Sequence, residues 1–139
     1  MIDAVSTVRA IVLSHVGVTG LIAQRMWGEY MPAPEVALMP RKSVRLLVDA
    51  GPSTPGLPYV NCMARFHCYG ATAIEAWEVA RAIYDALVRQ GEETIAVGGA
   101  NVLFYMSNDE SWGSYVPEPE TDWPRVVASY SFALSEAPV

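Results

Sequence analysis

Asn61–Gly91 reads NCMARFHCYGATAIEAWEVARAIYDALVRQG, and this stretch decides the fold. From Cys62 to Tyr69 the residues alternate, with Cys62, Ala64, Phe66 and Cys68 on one side and Met63, Arg65, His67 and Tyr69 on the other. That period of two predicts a pleated strand, ended by Gly70. Thr72 with Glu75 three positions later has the form of a capping box, in which each side chain satisfies an orphan amide at a helix start. Ile74, Trp77, Ala80, Tyr84, Leu87 and Val88 then recur at helical spacing and are expected to face the core. Glu75, Glu78, Arg81, Asp85 and Arg89 keep to the other side, Asp85 and Arg89 as an i,i+4 ion pair, and Gly91 stands where a C-terminal cap belongs. The unit has marked ends but no nucleophile, phosphate loop or metal-ligand spacing.

Working outward, Asp3 to His15 predicts a first helix with Val5, Val8, Ile11, Val12 and His15 on one face, ended by Gly17. Thr19 caps a further short turn carrying Leu21 and Ile22, and Gln24 to Glu29 is ambiguous, with an extended form open to it. Pro32, Pro34 and Pro40 make Met31 to Pro40 a loop. Val44 to Asp49 predicts a second strand with Val44, Leu46 and Val48 inward. Gly51 to Pro58, with three prolines and two glycines, is turn chemistry, and it lacks the Gly-Lys-Ser/Thr ending of a phosphate-binding loop. Thr94 to Val97 and Ala100 to Met106 flank Gly98 and Gly99 as the arms of a two-residue hairpin. Ser107 to Pro124 reads as a long irregular segment, a length that favours a functional loop or one ordered by a partner. Arg125 to Leu134 alternates again, with Val126, Ala128, Tyr130, Phe132 and Leu134 on one side. The expectation is one α+β domain over residues 1–139, an antiparallel sheet of about four to five strands with one long and one N-terminal helix packed on it.

Composition narrows the function. Of the 139 residues 52% are hydrophobic and only 17% charged, so part of the apolar surface is expected to face other chains. The apolar runs are too short to span a bilayer, and Met1 to Val16 carries Asp3 where a signal peptide has positive charge. Cys62 and Cys68 share a strand face roughly 20 Å apart, too far to bond, and read as buried thiols in a reducing compartment. Net charge is −6: residues 1–89 hold eight basic and seven acidic groups (+1), residues 90–139 one basic and eight acidic (−7). No positive side chain falls between Arg89 and Arg125. Such a segment repels phosphates and argues against nucleic-acid binding, although a plain solubilising loop has the same composition.

Catalytic arrangements are not apparent. His15 and His67 are the only histidines and stand apart from cysteine or second-histidine ligands, so neither a zinc site nor a triad is indicated. Asn108, Asp109, Glu110 and Gly113 do not follow the ligand spacing of an EF-hand loop. Glu118 and Glu120 alternate with Pro117 and Pro119, which reads as an extended charged segment. No enzyme activity, cofactor or metal is expected.

The order of an amphipathic N-terminal helix, a Val18-Thr19-Gly20-Leu21-Ile22 loop, a central strand ending Tyr69-Gly70-Ala71, a helix bearing Glu75-Ala76, a Gly-hinged hairpin and a last alternating strand resembles the tail-terminator (tail-completion) proteins of long-tailed bacteriophages. The resemblance implies a structural virion subunit, assembled in the host cytoplasm as a hexameric ring. Such a ring would cap the tail tube, stop its polymerisation and meet the head connector. Its partners would be itself, the tail-tube protein and a neck protein, with DNA passing through unbound and no membrane involved. On that reading Trp112, Tyr115 and Trp123 are candidate interface anchors, and Asp109, Glu110, Glu118, Glu120 and Asp122 are candidates to line the lumen. Packing of the three aromatics on the subunit's own sheet is the alternative. Another head-to-tail joining component is the nearer alternative function, and a small cytoplasmic ligand-binding α+β domain or enzyme the farther one.

Overall fold

The computed structural model describes residues 4–28, 30–50, 59–88, 92–97 and 100–136, with the side chains of 50, 59, 92, 93, 95–97, 100, 101, 105–110, 112 and 136 outside that description. Its elements in chain order are α1 (Ala4–Leu13), α2 (Val16–Ile22), β1 (Met26–Trp27), α3 (Ala33–Val36), β2 (Ser43–Ala50), β3 (Tyr59–Tyr69), α4 (Ala73–Val88), β4 (Glu92–Val97), β5 (Ala100–Tyr115) and β6 (Arg125–Glu136). The six strands form one sheet in the order β1-β2-β3-β6-β5-β4. Every neighbouring pair is antiparallel except β1 with β2, so the α+β expectation stands but the sheet is mixed and has one strand more than expected.

The central strand-helix unit forms as its pattern dictates. Cys62, Ala64, Phe66 and Cys68 of β3 point into the core, as do Val126, Ala128, Tyr130, Phe132 and Leu134 of β6 and Val44 and Leu46 of β2. Cross-strand aromatic packing ties them together: Phe66 meets Tyr130 edge to face at 5.7 Å, and Phe104 lies 5.2 Å from Phe132. Burial pushes the Cys62 and Cys68 thiols up, leaving both as unreactive thiols on the core face. The Glu75 amide donates to the Thr72 hydroxyl at 3.3 Å, the cap expected at the start of α4.

The phase of α4 differs from the expected one. The buried stripe is Ala76, Val79, Ala80, Ile83, Ala86 and Leu87, while Ile74 is 72% exposed and Trp77, Tyr84 and Val88 flank the stripe. Alanines on the contact face let the helix approach β3, β5 and β6 closely, and the bulkier side chains are left to its margins. The expected Asp85–Arg89 pair, the Gly91 cap and the Gly51–Pro58 turn fall outside the described residues.

The N-terminal segment is two helices. α1 ends at Leu13, and α2 leaves it at 93°. The Ser14 hydroxyl donates to the Ile11 carbonyl at 2.6 Å, a local bond that competes with continuing the helix. The bend brings Val18 and Ile22 into the same core as Val8, Ile11 and Val12. Gly17, expected to end the first helix, and Thr19, expected to cap a turn, instead lie inside α2. His15 sits at the break and not on an apolar helix face. No single helix among the described residues is long and apolar enough to cross a membrane.

Two loop expectations are corrected. Pro34 sits in the first turn of α3, where a missing amide costs nothing, so one helical turn forms despite the prolines. More consequentially, Ser107 to Tyr115 is strand. β5 stays paired with β6 as far as Tyr115 opposite Val126, with register shifts between Met106 and Asn108, Asp109 and Ser111, and Ser111 and Ser114. Each shift breaks the period of two, and that is why the segment reads as irregular in sequence. At the other end Val97 lies opposite Ala100, the register of a two-residue hairpin, with Gly98 and Gly99 themselves outside the described residues.

Candidate functional site

α1, α2 and α4 pack on one face of the sheet. On the other face, β2, β3 and β6 bring Arg45, Arg65, His67, Tyr69 and Arg125 together, because residues directly opposite in an antiparallel pair share a face. Arg45 lies opposite His67, which lies opposite Val127, and Tyr69 lies opposite Arg125. The Val116–Pro124 connection between β5 and β6 folds over this cluster. The Val116 amide donates to the Arg125 carbonyl at 2.9 Å, and the Glu118 amide to the Trp123 carbonyl at 3.1 Å, so the hairpin ladder continues past the last strand residues. The Asp122 amide returns to the Glu118 carbonyl at 2.9 Å, and Asp122 takes a positive φ of 58°, a backbone form that aspartate tolerates better than most residues. Pro117 and Pro119 alternate with the residues whose amides are used here.

Side chains fasten the turn to the sheet. Glu118 pairs with Arg45 at 3.5 Å and accepts from the Thr121 hydroxyl at 3.3 Å. Trp123 packs edge to face on Tyr69, with ring centroids 5.9 Å apart and planes at 85°. Arg125 donates to the Val116 carbonyl at 3.0 Å, and its guanidinium reaches His67 Nδ1 at 3.4 Å. Tyr69, expected on the open face by alternation, is fully buried beneath this turn. Its phenol is pushed up by burial, partly offset by the Arg45 guanidinium beside it. His67 is pulled down to about 4, first by burial and then by Arg125, Arg45 and Arg65, so it is neutral near pH 7 and offers Arg125 a lone pair instead of a competing charge.

The candidate residues therefore separate. Trp123 is occupied by its own sheet. Glu118 is held by Arg45, with its side chain 18% exposed, and does not present a free carboxylate. Glu120 and Asp122 are exposed at the tip of the turn, and Tyr115 is 42% exposed beside it. The side chains of Asp109, Glu110 and Trp112 lie outside the described residues; their backbones run in β5, with Asp109 opposite Tyr130. Sequence reasoning passed over Arg45, Tyr69 and Arg125. An aromatic residue at an outward strand position, with arginines on two other strands, is the one signal that could have exposed this cluster.

A second concavity, of about 490 Å³, lies between α2 and α4 and is lined by His15, Val16, Leu21, Glu78, Arg81 and Asp85. Lys42 bridges to Glu78 at 3.2 Å on its margin. Among the described residues no group of three or more histidine, cysteine or acidic side chains is placed to hold a metal ion. Neither a model of a known protein family nor a curated protein matches the chain.

Proposed function

We propose that the chain is a structural subunit that assembles head to tail, in six copies, as a ring at the head-proximal end of a long phage tail, stopping the tube and joining it to the head. The observation that carries this reading is the unlikeness of the subunit's two flanks. Residues 4–69, from α1 through β3, hold Arg9, Arg25, Arg41, Lys42, Arg45 and Arg65 against Glu29, Glu35 and Asp49. The β4 and β5 strands hold Glu92, Glu93, Asp109 and Glu110 and no cation, while the turn after them lies over β2, β3 and β6 with Glu118 on Arg45. A closed ring needs two different complementary surfaces per subunit, and a polarised subunit supplies them.

Exposed apolar residues support an assembly role: Val16 is 82%, Tyr30 84%, Leu38 57% and Ile74 72% exposed. Glu120 and Asp122 are the described carboxylates left free to border a lumen, where like charge would let DNA slide past. Labelling the chain in tailed particles that contain it tests the reading. Label at the head-tail junction supports it, label elsewhere contradicts it, and its offset from the tube end separates a terminator from another neck component. The concavity between α2 and α4 favours the second reading, a small ligand-binding domain, for which the chain would remain a monomer in solution.

A further inference from the structure

The two ends of the sheet differ. β1 covers only the start of β2, pairing Met26 with Val44 and Trp27 with Arg45. That short strand is itself closed to further pairing, because Arg9 donates to the outward Met26 carbonyl at 3.1 Å and to the Gln24 carbonyl at 3.3 Å. Beyond Trp27, no described strand pairs with Leu46–Ala50 on that side. The Val44 amide donates to the Arg25 carbonyl across this edge. By alternation the backbone groups of Val48 point the same way, away from β3, while those of Leu47 point to β3. A groove of about 500 Å³ runs along this edge, lined by Val5, Gly28, Leu47, Val48, Asp49 and Arg65. At the far end β4 is the last of the described strands, paired with β5, and α1 packs against it.

We propose that β4 of one copy adds to the free edge of β2 in the next, as a parallel strand, so that the sheets join head to tail. This rests on the ring reading above and names its interface. Direction supports it. Through the chain of antiparallel pairs β2–β3, β3–β6, β6–β5 and β5–β4, strands β2 and β4 run the same way. A rotation that repeats the subunit around an axis keeps that direction, so the two edges meet in parallel. Charge supports it too. Pairing β4 with itself would set Glu92 and Glu93 of two copies on one ribbon, whereas the β2 groove offers Arg65, 49% exposed and only loosely paired with Asp49 at 3.7 Å. The groove therefore takes a strand of the acidic flank, and the occupant available in every copy is β4.

The test is Val48→Pro in the full chain, with the oligomer read by light scattering and folding by circular dichroism. Proline at position 48 removes an amide that points away from the β2–β3 ladder, whereas Leu47→Pro removes one from that ladder. The expected result is a Val48→Pro protein that folds and loses the oligomer, beside a Leu47→Pro protein that fails to fold. A folded Val48→Pro protein that keeps the wild-type oligomer overturns the edge pairing and leaves the ring reading intact. A wild-type chain that stays monomeric at millimolar concentration removes both.

Should Val48→Pro not fold, separately purified Leu47→Cys and Thr94→Cys proteins treated with a short thiol cross-linker decide. Linking only when the two are mixed supports the proposal. Leu47→Cys linking to itself, or no linking while the oligomer persists, overturns it.

Discussion

Gly70→Ala is the sharpest perturbation of the strand-helix junction. A Cβ built there would stand 2.5 Å from both the Ala76 amide nitrogen and the Glu75 Cβ, and 2.8 Å from the Glu75 carbonyl carbon. These are atoms of the first turn of α4, two of them backbone, so a side-chain rotation does not relieve the clash. The turn has to move by close to an ångström, against a helix whose buried stripe is already packed on β3, β5 and β6. Overpacking of this kind costs about 1–3 kcal/mol. The shift also pulls the Glu75 amide from the Thr72 hydroxyl, a cap of roughly 1 kcal/mol. Together about 2–4 kcal/mol is expected. For a chain of 139 residues the unfolding entropy is about 0.3 kcal/mol per kelvin, so Tm should fall by roughly 7–14 °C. Differential scanning calorimetry reads this directly, and a variant melting within about 2 °C of the parent would refute the packing assigned to this junction.

Other expectations follow from the same geometry. Gly17 and Gly20 lie inside α2 with no atom within 4 Å of an added Cβ, so Gly17→Ala and Gly20→Ala should each stabilise by about 0.5–1 kcal/mol, visible as a small rise in Tm. His67 is held at about 4 against an ordinary 6.5, so the unfolded chain takes up its proton first as pH falls. Its share of stability is complete above pH 6.5 and is lost between 6.5 and 4. The ceiling is about 3 kcal/mol, cut to roughly 1–2 kcal/mol by partial exposure, and urea titrations of His67→Gln should show a flatter profile across that window. Trp123→Ala should cost about 2 kcal/mol by uncovering Tyr69, with increased proteolysis of the Val116–Pro124 turn as the second readout.

What could be read from sequence tracks where a period of two or of 3.6 runs unbroken. β3 and β6 keep strict alternation, and every inward residue expected there is buried. β5 loses its period at three register shifts, so its polar half, from Ser107 to Tyr115, passes for a loop. The phase of α4 went astray because hydrophobicity ranks Ile74 and Trp77 above Ala76 and Val79, whereas close helix-sheet contact selects for small size. The break after α1 reads two to four residues late in sequence, at Gly17 and not after Leu13, because it depends on a Ser14 hydroxyl bond and on where Val18 and Ile22 find the core, neither of which is written in local spacing. The candidate site was half legible. The acidic and aromatic content of the turn stood out, but its attachment through Arg45, Tyr69 and Arg125 depends on strand register, which joins residues as distant in sequence as His67 and Arg125, 58 positions apart.

Negative-stain imaging of the purified wild-type chain tests the central claim most directly. Closed rings of six subunits with a central hole are the expected result, and a field of single 15.1 kDa monomers at concentrations where ring subunits associate would contradict it.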